Sequence, residues 1–268
     1  MILILGGTSD SVSLARLLHK TLIEKIPAMR ITVTGATKWF IPEQNNNFPA
    51  EIHVLREQLS PERLSELIIK SRVVIDATHP FACGITSAAV NACGELQVPY
   101  IRYERPSFVQ SIGMPLHVHT AKSHTDACSK ALELTKKNQV IGLTIGTRSL
   151  SLYVQRLKEM SRMLMVRVLP VPESVSAALE CGVPMNEIIA MKGPVSTTLE
   201  TAFLKHWNVS VLITKDSGSA GGVSEKIAAT EAVGIPLIIV ERPRADYSVG
   251  IETTFEGVAA RVRAAVRG

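Results

Sequence analysis

Short apolar runs alternate with longer amphipathic segments along the whole of this chain. A brief β-branched run fits a strand buried on both faces, and a segment with one apolar stripe fits a helix laid across it. Repeated many times, the alternation predicts an α/β fold in which helices flank parallel strands. In the first part, strands are expected at Ile2–Leu5, Arg30–Thr34, Ile52–Leu55, Val73–Ile75 and Tyr100–Tyr103, with helices at Ser11–Glu24, Pro61–Lys70 and Ala82–Gly94. Ser60-Pro61 marks a helix start, a capping hydroxyl followed by a proline at the first helical position. Between Glu104 and His119 the rhythm breaks around Pro106, Gly113 and Pro115, which reads as a crossover between two domains, 1–110 and 111–268. Beyond it, helices are expected near Ala121–Lys136, Ser151–Glu159, Val175–Glu180, Ser196–Trp207, Val223–Val233 and Phe255–Val266.

Six of the apolar runs end at or near a basic residue, usually beside Pro or Gly: Ile101–Pro106, Ile141–Arg148, Met165–Pro170, Ile188–Pro194, Val211–Gly218 and Leu237–Arg244. In a parallel sheet the carboxyl ends of the strands share one rim, where ligands bind. Cations delivered there by several strands point to a ligand with many negative charges, whereas a single one would be ordinary solvated surface.

Composition narrows the partner. With 46% hydrophobic residues in 268, a packed core is assured and global disorder excluded. Aromatic residues are 4%, too few for a base-stacking surface, and the net charge of +5 contains no Lys/Arg block. An acidic small molecule is expected, with no nucleic acid or membrane partner. The four cysteines, Cys83, Cys93, Cys128 and Cys181, form no CxxC pair and fit free thiols in a reducing compartment. Met1 leads directly into a strand rather than a signal peptide, and no apolar run is long enough for a membrane span, so the cytoplasm is expected. The lack of a long apolar stripe favours a monomer.

Ile2–Leu5 runs into Gly6-Gly7-Thr8-Ser9-Asp10-Ser11 and then a helix. Glycines let a pyrophosphate approach the backbone, hydroxyls donate, and the first helical turn offers unpaired N–H groups. The match to GxGxxG is imperfect, and a plain strand-to-helix turn is the alternative. The second strand ends at Thr34, followed by Gly35 and Lys38, with no acid to hold a ribose 2′-hydroxyl. Lys38 suits a 2′-phosphate, which favours NADPH while leaving NADH open. The fourth strand ends Asp76-Ala77-Thr78-His79-Pro80, placing Thr78 and His79 at the same rim. A polar pair satisfied within the fold accounts for that pattern as well as a catalytic acid does.

Lys215-Asp216-Ser217-Gly218-Ser219-Ala220-Gly221-Gly222 follows a strand and precedes a helix, and can form an anion nest with Lys215 beside it. Arg148, after Gly146-Thr147, has a similar setting and suits bidentate carboxylate binding. His117, His119 and His124 are assigned structural or surface roles, and no metal is expected. Neither a G-x-S-x-G elbow nor a GxxxxGK[ST] loop is present.

Gly6–Ser11, Asp76–Ala82, Tyr103–Pro106, Val168–Pro170, Met191–Pro194 and Thr214–Gly218 occur in an order that resembles the precorrin-6A reductase family of cobalamin biosynthesis, including its cobalt-precorrin-6A branch. Val12-Ser13 departs from the pair expected on the first helix. The resemblance implies two Rossmann-like domains with a cleft between them for cofactor and macrocycle, and hydride transfer from a reduced nicotinamide to a double bond of a tetrapyrrole rich in acetate and propionate groups. Other enzymes of the corrin pathway are possible partners. On this reading Gly6, Gly7, Thr8, Ser9, Asp10, Thr34, Lys38, Thr78 and His79 hold the cofactor. Arg105, Arg148, Lys192, Lys215, Ser217 and Gly218 grip substrate carboxylates. His79 and Asp216 are candidates for proton delivery, with solvent a third. The alternatives are a nucleotide-sugar or S-adenosylmethionine-dependent enzyme, or a non-catalytic NADPH-sensing module.

Overall fold

The computed structural model describes residues 1–22, 29–34, 48–57, 59–111, 113, 115–218, 221–243 and 250–267. Its elements in chain order are β1 (Ile2–Leu5), α1 (Ser9–Leu22), β2 (Ile31–Thr34), β3 (Ile52–Leu55), α2 (Pro61–Ile69), β4 (Val73–Asp76), α3 (Cys83–Glu95) and β5 (Tyr100–Tyr103). There follow α4 (Phe108–Ser111), β6 (Val118–Ala121), α5 (His124–Leu134), β7 (Val140–Thr144), α6 (Leu150–Glu159), β8 (Met163–Val168), α7 (Pro172–Glu180) and β9 (Ile188–Ala190). The last are α8 (Thr197–His206), β10 (Val209–Lys215), α9 (Val223–Val233), β11 (Leu237–Val240), β12 (Ile251–Glu252) and α10 (Phe255–Arg267).

The described strands form two six-stranded sheets, and every pairing between them is parallel. The first has the order β3-β2-β1-β4-β5-β12. This is the order of a doubly wound dinucleotide-binding sheet, whose strand sequence reverses between β1 and β4. The second has the order β9-β8-β7-β10-β11-β6, and its reversal falls between β7 and β10. Each sheet therefore has one point where the crossovers leave in opposite directions and open a crevice at the carboxyl ends.

Strand alternation builds the first core on both faces. Ile2 and Ile4 pack with Leu14, Leu18 and Ile31, while Leu3 and Leu5 pack with Leu64, Leu67 and Ile68. The helices start where the sequence supplies caps: the Ser60 and Ser123 hydroxyls accept from Arg63 N and Asp126 N at 3.2 and 3.1 Å. All four cysteines are free thiols, and burial pushes those of Cys93 and Cys128 up to about 12 and about 11.

The chain divides into one unit of Met1–Arg105 with Arg244–Gly268 and another of Pro106–Pro243. The division expected from sequence, 1–110 and 111–268, differs from this at its C-terminal part. Val258, Ala259, Val262 and Val266 of α10 lie in the same core as Ile2 and Ile4, and β12 extends the first sheet, with Ile251 opposite Arg102. An amphipathic stripe states that a helix covers a sheet but not which sheet, so the return was invisible in the local pattern. Val118–Ala121, where the expected crossover ended at His119 and a helix was expected from Ala121, is the edge strand β6 beside β11.

Val262 is fully buried in this returning helix, whereas Ala264 is exposed. Val262→Asp is expected to cost more than about 4 kcal/mol in urea unfolding, and Ala264→Asp less than about 1 kcal/mol. Equal small effects would contradict the placement of α10 in the first core.

Candidate functional site

In the first unit the reversal point is lined by the turn after β1. Gly6 N donates to Thr34 O at 2.9 Å, and a Cβ on Gly6 would lie 2.5 Å from Ser11 Oγ and 2.8 Å from Thr34 O. Only glycine allows α1 to begin this close to β2. Gly7, exposed at φ +115°, turns the chain into α1, and Ser9 is the exposed first residue of that helix. Ser11 Oγ donates to Thr8 O at 2.8 Å, and Thr8 Oγ1 donates to Ala77 O at 3.1 Å, tying the turn to the end of β4. Exposed glycine backbone at a helix start suits a dinucleotide pyrophosphate. Asp10 in the first turn would oppose a phosphate, but Arg105 Nη2 and Nε meet its Oδ2 at 2.6 and 2.8 Å. Thr34 is buried, and Lys38 and Gly35 lie outside the described residues.

The end of β4 is held by a buried charge network. Asp76 and Arg102 are adjacent in register, both fully buried, with Oδ1 and Nη1 2.7 Å apart. Asp76 Oδ1 also accepts from Thr78 N and Oγ1 at 2.9 and 2.7 Å, and Oδ2 accepts from Tyr100 Oη at 2.8 Å. Arg102 donates to Thr78 O at 3.3 Å and pairs with Glu104 at 3.0 Å. Burial opposes the guanidinium's charge, but Asp76 and Glu104 outweigh it and hold the pKa above its ordinary value. Thr78, expected beside the cofactor, is buried and commits its hydroxyl to Asp76. His79 is half-buried, and its Nδ1 accepts from Phe81 N at 3.2 Å, which leaves the neutral ring's proton on Nε2. Sequence reasoning missed Arg102 and Tyr100. The available signal was an arginine inside an otherwise apolar strand, near a strand ending in Asp.

In the second unit the reversal point brings together Gly146–Arg148, after β7, and Lys215, which ends β10. Arg148 is exposed and Lys215 half-buried. A Cβ on Gly146, at φ +75°, would lie 3.8 Å from Lys215 Nζ, so the ammonium sits over this turn. Burial first, and Arg148 second, push the lysine down to about 8. His124 Nδ1 lies 2.9 Å from Tyr153 Oη, and burial followed by Lys215 lowers its pKa. Lys192, beyond β9, is exposed.

The loop after β10 is internally bonded. Asp216, 1% exposed, accepts from Ser107 Oγ at 2.5 Å and from Phe108 N and Gly218 N, each at 3.2 Å. Arg242 Nε lies 3.6 Å from its Oδ2 and donates to its carbonyl at 3.1 Å. This carboxylate is enclosed by donors, which suits anchoring rather than the proton delivery expected of it. Ser217 Oγ donates to Gly221 O at 3.2 Å, so its one proton, like Gly218 N, is committed inside the loop. Arg105, expected on substrate, is committed to Asp10. Among the described residues, Arg148 and Lys192 are exposed and Lys215 is half-buried, so all three cations meet solvent. Among the described residues no cluster of His, Cys, Asp and Glu could hold a metal, and no helix is long and apolar enough to cross a membrane.

The model of the family described as Precorrin-6x reductase CbiJ/CobK matches residues 1–263. A cobalt-precorrin-6A reductase of Priestia megaterium is 33% identical over 261 residues, covering 96% of each chain. A cobalt-precorrin-6A reductase of Salmonella typhimurium is 32% identical, covering 90% of this chain and 87% of its own. A precorrin-6A reductase of Mycobacterium tuberculosis is 26% identical, covering 90% and 88%. The solved structure of CobK precorrin-6A reductase superposes with a TM-score of 0.73 at 22% identity, over 98% of this chain and 96% of that one, and so shares the fold. With a glycine turn at one reversal point, cations at the other and a family match along almost its whole length, the chain belongs to the precorrin-6x reductase CbiJ/CobK family of oxidoreductases.

Proposed function

We propose that this chain reduces a precorrin-6A-type macrocycle with NADPH in the cytoplasm, and that the cobalt-loaded macrocycle is its substrate. What carries the reading is Lys215 beside Arg148 at one reversal point and the Gly6-Gly7 turn at the other, in a chain matching a reductase family over residues 1–263. The cobalt preference is supported by the Priestia and Salmonella relatives, at 33% and 32% identity, against 26% for the mycobacterial precorrin-6A reductase.

A bound reduced nicotinamide supplies a hydride for one carbon of the macrocycle's double bond. The Gly6–Ser9 turn binds and orients the dinucleotide, and Arg105 neutralises Asp10 so that phosphate is not repelled there. The Asp76–Arg102 network fixes the chain entering His79, which borders the nicotinamide and orients it through its Nε2 proton, while the proton for the second carbon comes from solvent. Arg148, Lys192 and Lys215 bind acetate and propionate carboxylates. Asp216, Ser217 and Gly218 shape the loop beside Lys215 instead of touching substrate.

Arg148→Ala or Lys215→Met should raise the KM for the tetrapyrrole about tenfold or more while leaving the Kd of NADPH within about twofold, measured by steady-state kinetics and calorimetry. Equal changes in both would reject this division of labour. His79→Asn should lower kcat about tenfold or more by loosening the placement of the nicotinamide, and an unchanged kcat would remove His79 from the cofactor site.

The pKa of Lys215 is lowered to about 8, so its ammonium is complete below that pH and lost as pH rises through it. The KM for the tetrapyrrole should therefore climb above pH 8, and Lys215→Met should flatten that limb. Calorimetry should show NADPH bound more tightly than NADH, with Lys38→Ala removing the difference; an NADH preference would overturn the role given to Lys38.

A further inference from the structure

Lys226, in the first turn of α9, is 5% exposed. Its Nζ donates to Gly222 O at 3.1 Å and to Gly221 O at 3.4 Å. Gly221 O also accepts from Ser217 Oγ, and Gly221 N donates to Gly218 O at 3.0 Å. One buried ammonium and one hydroxyl therefore converge on the carbonyl that closes the loop after β10. Gly222 has φ +76°, and a Cβ there would lie 2.8 Å from Pro194 Cβ and 3.4 Å from Lys226 Nζ. The loop end is thus packed against the segment carrying Lys192.

Charge bookkeeping gives Lys226 no necessary place in the core. Arg167 and Glu200, 8% and 2% exposed, already form a pair at 2.6 Å. Lys226 brings a second cation to that single buried carboxylate. Burial depresses its pKa to about 8, Glu200 and Glu225 oppose the shift, and Arg167 adds to it. Buried charges are often replaced by apolar groups of similar volume at no cost to stability. What an apolar replacement cannot do is hold two carbonyls of a glycine turn.

We propose that Lys226 is a positioning residue for substrate binding: it fixes the Gly221–Gly222 end of the loop, so that Lys215 at the loop's other end meets a substrate carboxylate in a set position. The proposal deepens the substrate-rim reading above and rests on it.

The test is Lys226→Met in the full chain, with the tetrapyrrole and NADPH as probes. This change removes both Nζ hydrogen bonds and leaves the Arg167–Glu200 pair electrically neutral. The thermal midpoint should stay within a few degrees or rise. The KM for the tetrapyrrole should increase about tenfold, the Kd of NADPH should stay within about twofold, and Lys226→Gln, which restores a donor, should recover part of the loss. Gly222→Ala, which strains the same turn from the other side, should show the same substrate-selective rise. An unchanged KM in folded Lys226→Met, or parallel changes in KM and in the Kd of NADPH, would overturn the proposal. If Lys226→Met does not fold, Lys226→Gln and Gly222→Ala decide in the same way. Lys215→Met, run alongside, separates the two levels. If it raises KM and the Lys226 variants do not, only the positioning role is lost; if it also leaves KM unchanged, the substrate-rim reading fails.

Discussion

A parallel strand can be followed by another in the same sheet only if the chain crosses back to the starting edge. The carboxyl ends of all strands are then delivered to one rim, and a reversal in strand order opens a crevice in that rim. This constraint acts twice here, once between β1 and β4 and once between β7 and β10. Strand ends and helix starts converge at those points. Gly6, Gly7 and His79 lie at the first reversal point, and Arg148 and Lys215 at the second.

Each unit keeps a buried ion pair near its rim, and the two serve different ends. Asp76 and Arg102 are neighbours in register, and their bonds reach the backbone of Thr78, so this pair shapes the entry to His79. Arg167 and Glu200 join β8 to α8. Pairs of this kind contribute little net stability because desolvation offsets most of the attraction, although removing one partner is expensive. Their geometric effect is larger, since a charge with no water around it fixes every donor and acceptor it touches. Asp216 works in the same way, joining Ser107 and Phe108, Gly218 and Arg242 around one carboxylate.

Much of the fold was legible in order. The apolar runs at Ile2–Leu5 and Ile52–Leu55 are strands with those limits, and all six runs ending in basic residues overlap strands. The glycine turn was legible because Gly6 answers to a local requirement, the close start of α1. The basic residues were less transparent. Arg102 and Arg167 look in sequence like the other strand-associated cations, yet both are buried against carboxylates on other elements. Arg105 has its partner in Asp10, far away along the chain. Ser217 and Gly218 were placed in the correct loop, but whether a donor faces inward or outward depends on the loop's own bonds.

The sequence by itself determined the alternation of strands and helices, the parallel class, the glycine turn and the presence of many cations near strand ends. These follow from local rules: periodicity, capping and the torsional freedom of glycine. Only the tertiary structure decided which cations are locked to buried carboxylates and which retain access to solvent. It also decided that Phe255–Arg267 completes the first core instead of the second. Both decisions depend on contacts between residues remote in the chain, and a side chain's identity carries no record of the partner that burial will give it.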